Sequence, residues 1–121
     1  MNRVALIVED EALIALALED MLVDLGFSVC GIAASAADAL RLARQHAPNL
    51  VLMDVRLKGA DDGVTAARAM SAHGLSPCVI FLTGSREPAT VARVRADQPA
   101  GLLFKPVRPE DLAAAIDAVC P

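Results

Sequence analysis

Five short apolar runs punctuate this chain, each ending at a polar or charged residue, and Ala-rich stretches with helical spacing lie between them. Few folds accept that alternation. Val4 to Val8 is continuously apolar, as a strand covered on both faces must be. It ends at Glu9-Asp10-Glu11, where a helix begins and acids favour its positive pole. That helix carries Ile14, Leu18, Leu22 and Leu25 on one stripe and stops at Gly26, a residue suited to the left-handed turn after a helix. Phe27 to Gly31 reads as the second strand. Ser35 is placed to cap a helix to about His46, with Leu40 and Ala43 inward and Pro48 closing it. Leu50 to Met53 forms the third strand, and Asp54 stands at its end. A polar loop, Lys58 to Asp62, leads into a helix through Ala66, Ala67 and Met70, broken at Gly74 and Pro77. The fourth strand, Cys78 to Leu82, ends at Thr83-Gly84. A weakly apolar helix, about Glu87 to Ala96, precedes the fifth strand, Gly101 to Phe104, which ends at Lys105-Pro106. Pro109 opens the last helix, at a position proline tolerates.

Five strands alternating with five helices through short right-handed crossovers give an α/β fold. It is a flavodoxin-like, doubly wound (βα)5 unit with a parallel five-stranded sheet, for which the order 2-1-3-4-5 is expected. The core must be Leu, Val, Ile and Ala, because Trp and Tyr are absent and Phe occurs three times among 121 residues. That length suits one domain spanning 1–121, with no output domain expected. Eleven basic residues are scattered among fifteen acidic ones, for a net charge of -4, which excludes a basic nucleic-acid-binding stripe. Cys30, Cys78 and Cys120 read as reduced, small core residues. The N-terminus resembles neither a signal peptide nor a membrane span, so a cytoplasmic protein is expected.

In the expected strand order, the ends of strands one, three, four and five bring Glu9, Asp10, Asp54, Thr83 and Lys105 to one rim, at the switch point where such folds bind ligands. Three crowded carboxylates repel one another unless a cation sits among them. A hard divalent ion with oxygen ligands answers that need, and Mg²⁺ is the usual one where phosphate is handled. Phosphoryl transfer requires an in-line nucleophile and positive charge or donors around the equatorial oxygens. Asp54 supplies the nucleophile, Lys105 a mobile ammonium, and Thr83 a hydroxyl donor, with Gly84 leaving the rim open. Asp61 and Asp62 are read instead as the start of the third helix, Asp62 as its N-cap. His46 and His73 fall near helix C-termini, where an imidazolium is favoured, and are read as structural. The Arg56 side chain, with Ser85, is placed to lie over the site or to face solvent.

Val8-Glu9-Asp10, Leu52-Met53-Asp54, Leu82-Thr83-Gly84 and Phe104-Lys105-Pro106, in this order and spacing, resemble the motifs of response-regulator receiver domains over essentially the whole chain. The resemblance implies that Asp10 and Asp54 bind Mg²⁺ directly, that Glu9 acts through water and that Arg56 lends its backbone carbonyl. It implies a cis peptide at Lys105-Pro106. It also implies a two-component phosphorelay, in which a sensor histidine kinase or histidine phosphotransfer protein donates the phosphoryl group to Asp54, docking beside the first helix; Leu13 and Leu16, off the core stripe there, either meet that partner or pack against neighbouring loops. The chain would be a signalling phosphoprotein and not an enzyme in the ordinary sense, with output by protein contact or onward phosphotransfer.

Leu102 stands where many receivers carry a switching aromatic, so that reporter is absent. Phe81-Leu82-Thr83-Gly84 and Leu102 resemble the FAT GUY group of stand-alone receivers, although Leu82 and Cys78 depart from its signature. The alternative from another class is a small aspartate-nucleophile phosphatase of haloacid dehalogenase type. Such enzymes place a second aspartate two residues after the nucleophile, and Arg56 occupies that position. A purely structural pseudo-receiver would be expected to have lost an acid, the threonine or the lysine.

Overall fold

The computed structural model describes residues 3–57, 59 and 61–119. Its elements alternate as β1 (Val4–Val8), α1 (Ala12–Asp24), β2 (Ser28–Ala33), α2 (Ala36–His46), β3 (Leu50–Asp54), α3 (Gly63–Ala72), β4 (Cys78–Thr83), α4 (Pro88–Ala96), β5 (Gly101–Phe104) and α5 (Pro109–Val119). All strand pairs are parallel, and the sheet order is β2-β1-β3-β4-β5. This is the flavodoxin-like arrangement expected from the alternation.

The apolar strands are buried on both faces because each face carries its own layer of helices. Ala5, Ile7, Leu50, Leu52, Ile80 and Leu82 pack against Ala15, Leu18 and Leu22 of α1 and Leu112 and Ile116 of α5. Leu6, Val8, Val51, Met53 and Phe81 face Ala39 and Ala43 of α2, Ala66 and Met70 of α3, and Val94 of α4. The expected α1 stripe holds at Leu18 and Leu22, while Ile14 and Leu25 are half-buried and Ala15 takes an inward place.

Local signals end the elements as expected. Gly26 adopts φ +89° after α1, the Ser35 hydroxyl accepts from the Asp38 amide (3.2 Å) at the start of α2, and Asp62 accepts from the Thr65 amide (3.0 Å) at the start of α3. β2 departs from its expected bounds. Its register against β1 shifts between Ala5 and Leu6, which pair with Val29 and Gly31, so Cys30 is the extra residue of a bulge. The strand therefore begins later and runs on to Ala33, whose carbonyl accepts from the Glu9 amide (2.8 Å). Phe27, left outside the strand, is buried in the α1 layer. Cys30 is a free, half-buried thiol, but Cys78 is disulfide-bonded, correcting the expectation of a reduced thiol there. Cys120 and Lys58 lie outside the described residues. Among the described residues no helix is long and apolar enough to cross a membrane.

One close approach sets where β3 ends relative to α3. The Gly63 amide donates to the Val55 carbonyl (2.9 Å), and a Cβ on Gly63 would fall 2.1 Å from the backbone oxygen of Asp54. Only glycine lets the helix start against the strand end. Gly63→Ala is therefore expected to cost about 2–3 kcal/mol, as overpacking against backbone does. Urea unfolding should show a lowered midpoint with an unchanged slope.

Candidate functional site

Each residue of the rim is placed by a strand end. β1 delivers Glu9 and Asp10, β3 ends on Asp54, β4 on Thr83, and Lys105 follows β5. Asp54 remains inside the ladder, paired in register with Leu82, and the Lys105 amide donates to the Thr83 carbonyl (2.8 Å), which extends the β4–β5 ladder by one step. The Lys105-Pro106 peptide is cis, as the resemblance implied.

Glu9, Asp54 and Thr83 are the buried polar side chains among the described residues, at 2%, 4% and 4% exposure. Burial at that level demands partners, and Lys105 provides them for two carboxylates. Its Nζ lies 3.0 Å from Asp54 Oδ2 and donates to it, and lies 2.7 Å from Glu9 Oε2. The contact with Glu9 is a close ion pair that, with the one to Asp54, raises the Lys105 ammonium. Glu9 Oε1 accepts from the Glu11 amide (3.2 Å) and Asp54 Oδ1 from the Arg56 amide (3.3 Å).

One ammonium does not balance this rim. Carboxylate oxygens of Glu9, Asp10 and Asp54 all lie within 4.8 Å of one another. Burial, reinforced by the neighbouring Glu9 charge and resisted by Lys105, pushes the Asp54 carboxyl up to about 6. Burial acts to lower the Lys105 ammonium, but its contacts with Glu9 and Asp54 outweigh that and raise it. Both shifts describe a buried site with too much negative charge. The crowded all-oxygen donor set of Glu9, Asp10 and Asp54, which one ammonium does not balance, fits a hard divalent cation.

The rim opens into a cleft of about 850 Å³ lined by Asp10, Asp54, Arg56, Thr83, Ser85 and Lys105, joined by Asp62, Arg86 and Arg93. All the expected site residues except buried Glu9 therefore border one space, and Glu9 reaches it through Lys105. The Thr83 hydroxyl oxygen accepts from the Ser85 amide (3.0 Å), and Ser85 Oγ from the Glu87 amide (3.2 Å). Arg56 is exposed. His46 ends α2 and His73 follows α3, where its Nδ1 donates to the Ala69 carbonyl (2.8 Å); neither lines the cleft.

Sequence reasoning placed Asp62 as a cap but missed its second contact. Arg93 Nη1 lies 2.7 Å from Asp62 Oδ2. Burial would raise the Asp62 carboxyl, but the Thr65 amide and the Arg93 guanidinium together hold it below the usual carboxylate range. Arg86 was also missed: its guanidinium stacks 4.1 Å from the centroid of the Phe104 ring.

Comparison with known proteins agrees with this geometry. The sequence model of the response regulator receiver domain matches residues 5–117. The transcriptional regulatory protein PdtaR of Mycobacterium tuberculosis is 37% identical over 115 residues, 95% of this chain and 55% of that protein. The phyllosphere-induced regulator PhyR of Methylorubrum extorquens is 34% identical over 112 residues, 92% of this chain and 41% of that protein. The chain thus spans about half the length of these relatives. The signal receiver domain of a modulated diguanylate cyclase from Desulfovibrio desulfuricans superposes with TM-score 0.88 at 35% identity, covering 98% of this chain and 94% of that one. None of these similarities supports the phosphatase alternative of haloacid dehalogenase type. With four strand ends converging on a buried aspartate and a half-buried lysine, and a family match over nearly its whole length, the chain belongs to the response regulator receiver domains.

Proposed function

We propose that Asp54 is the phosphoacceptor of a two-component phosphorelay. The observation that carries this reading is the buried Asp54 carboxylate, held 3.0 Å from Lys105 Nζ on a cleft floor with two further acids beside it. One carboxylate oxygen attacks the phosphorus of a phosphohistidine, a P–O bond forms as the P–N bond breaks, and the imidazole leaves with the proton it takes up. Asp54 is ionised at neutral pH even with its raised pKa of about 6, so no base need activate it. Lys105 neutralises the acceptor and remains beside the transferred group. Thr83 offers its hydroxyl proton to a phosphoryl oxygen, because its oxygen is already engaged by the Ser85 amide.

Mg²⁺ would be held by Asp10, Asp54 and the Arg56 carbonyl, with Glu9 acting through water. When bound, it supplies charge neutralisation for the acids and the phosphoryl oxygens. The phosphodonor is a sensor histidine kinase or a histidine phosphotransfer protein. An apolar groove of about 430 Å³, lined by Leu13, Ala17, Met21, Pro106, Val107 and Lys105, joins α1 to the acceptor rim. Leu13 is 84% exposed and Leu16 51%, an apolar surface suited to a partner helix. The chain would signal through protein contact or onward transfer, without turnover of a free substrate.

Incubation with Mg²⁺ and acetyl phosphate should add one phosphoryl group to the intact mass. Hydroxylamine should remove it and Asp54→Asn abolish it; no adduct with acetyl phosphate or with a cognate kinase would overturn the reading. Leu13→Asp should leave labelling by acetyl phosphate unchanged while slowing transfer from a phosphohistidine donor on the order of tenfold, since an exposed anchor serves only docking. The charge crowding also predicts a stability effect. The folded pKa of Asp54 lies above its ordinary value of about 4, so this group stabilises the fold less as pH rises from about 4 through about 6. At pH 7 without divalent cation, Asp54→Asn should therefore gain about 1–2 kcal/mol in urea unfolding, and Mg²⁺ should narrow that gain.

A further inference from the structure

α4 is held to the body of the protein by unusually little apolar contact. Of its nine residues only Val94 is buried. Charges do much of the rest. Arg93 pairs with Asp62 at the start of α3 (2.7 Å) and Asp97, just past α4, pairs with Arg68 in the middle of α3 (2.7 Å). Arg93 and Asp97 are four residues apart and share a helix face. The two bridges have opposite polarity, acid-to-base and base-to-acid from α3 to α4, so they fix one register: sliding α4 would set like charges together.

The two bridges differ in what they can sense. Asp62 and Arg93 both line the cleft over Asp54, whereas Arg68 and Asp97 line a separate hollow further along α3 with Pro77 and Phe81. Asp62 is also chained to the acceptor, since Gly63 after it packs against the Asp54 backbone oxygen. An acyl phosphate on Asp54 carries up to two negative charges in place of the single charge of the ionised carboxylate, and sets them out in the space that holds this bridge. It repels the Asp62 carboxylate and attracts the guanidinium, which binds phosphate oxygens in its planar fork better than a single carboxylate oxygen. The bridge is open to solvent, with Arg93 48% and Asp62 31% exposed at the side chain, so it is weak enough to yield.

Resting on the phosphoacceptor reading, we propose that the Asp62–Arg93 ion pair is a latch on α4 that phosphorylation of Asp54 opens, while Arg68–Asp97 remains closed as the hinge. α4 then leaves α3 at its cleft side. This gives the chain an output that needs no aromatic at position 102: the signal passes from phosphoryl charge to arginine to helix.

Hydrogen exchange across residues 88–96 tests the latch, measured on the full chain with Mg²⁺, with and without acetyl phosphate, the intact mass of each sample reporting the adduct. Phosphorylation of the natural sequence should speed exchange in α4 severalfold. Asp62→Asn keeps the α3 cap, because an amide oxygen still accepts from Thr65, but removes the charge. It should show fast α4 exchange without phosphorylation, no further rise with it, and unchanged α3 exchange. Arg68→Gln should retain the phosphorylation-dependent rise. An adduct without a change in α4 exchange, or Asp62→Asn behaving like the natural sequence, would overturn the latch while leaving the acceptor intact. Absence of the adduct would overturn the acceptor reading and the latch with it.

Discussion

The contact of one ammonium with two buried carboxylates governs this molecule. Lys105 reaches Glu9 at 2.7 Å and Asp54 at 3.0 Å, and those acids come from β1 and β3, the central pair at the point where the strand order turns back. The bridge therefore closes the rim across the sheet, from the strand at its edge to the strands at its middle. It offsets only part of the charge it meets. Buried acids that exceed their counter-charge are costly to the fold, and carboxylates perturbed in this way by burial and a specific charge partner mark a candidate functional site.

The strands and the rim could be read from the order of residues because both rest on short-range signals. A continuous apolar run must be covered on both faces, and a polar residue ending it must lie at a sheet edge. Those two facts place Glu9, Asp54, Thr83 and Lys105 together once the strands are parallel. Caps at Ser35 and Asp62 were readable for the same reason, since the hydroxyl and the carboxylate act within three residues. β2 was misplaced because its bulge at Cys30 depends on the register against β1, which no local pattern announces. Gly63 and Arg93 escaped for a related reason. The first matters only through the Asp54 backbone it touches, the second through an acid 31 positions away in the chain, and neither distance is written in residue type.

The loop after β4 shows how a missing part can be replaced. Leu102 has no ring to swing, and it packs half-buried against the layer that includes Phe81 and Val94. The aromatic on this strand is Phe104 instead, beside Lys105, and the Arg86 guanidinium lies over its ring. Between Thr83 and α4 the backbone is tied by successive side-chain acceptors, Thr83 to the Ser85 amide and Ser85 to the Glu87 amide. A hydroxyl that turned toward a phosphoryl group would carry this tie with it as far as Glu87, the residue before α4.

The two sides of the molecule are fastened differently, and that difference says where a signal can leave. α1 and α5 are anchored by Leu18, Leu22, Leu112 and Ile116, all nearly inaccessible to solvent, and each such side chain contributes roughly 1.5–3 kcal/mol of burial. α4 has Val94 alone and two exposed ion pairs, which are commonly worth at most about 1 kcal/mol each. If Asp54 accepts a phosphoryl group as proposed, the new charge would not dislodge α1 but would act on the weaker ties of α4. Elements at the low end of local stability are those that move when a ligand changes the balance. On the phosphoacceptor reading proposed above, the rigid half of the rim would receive a donor and perform the chemistry, and the lightly held half would report that it has happened.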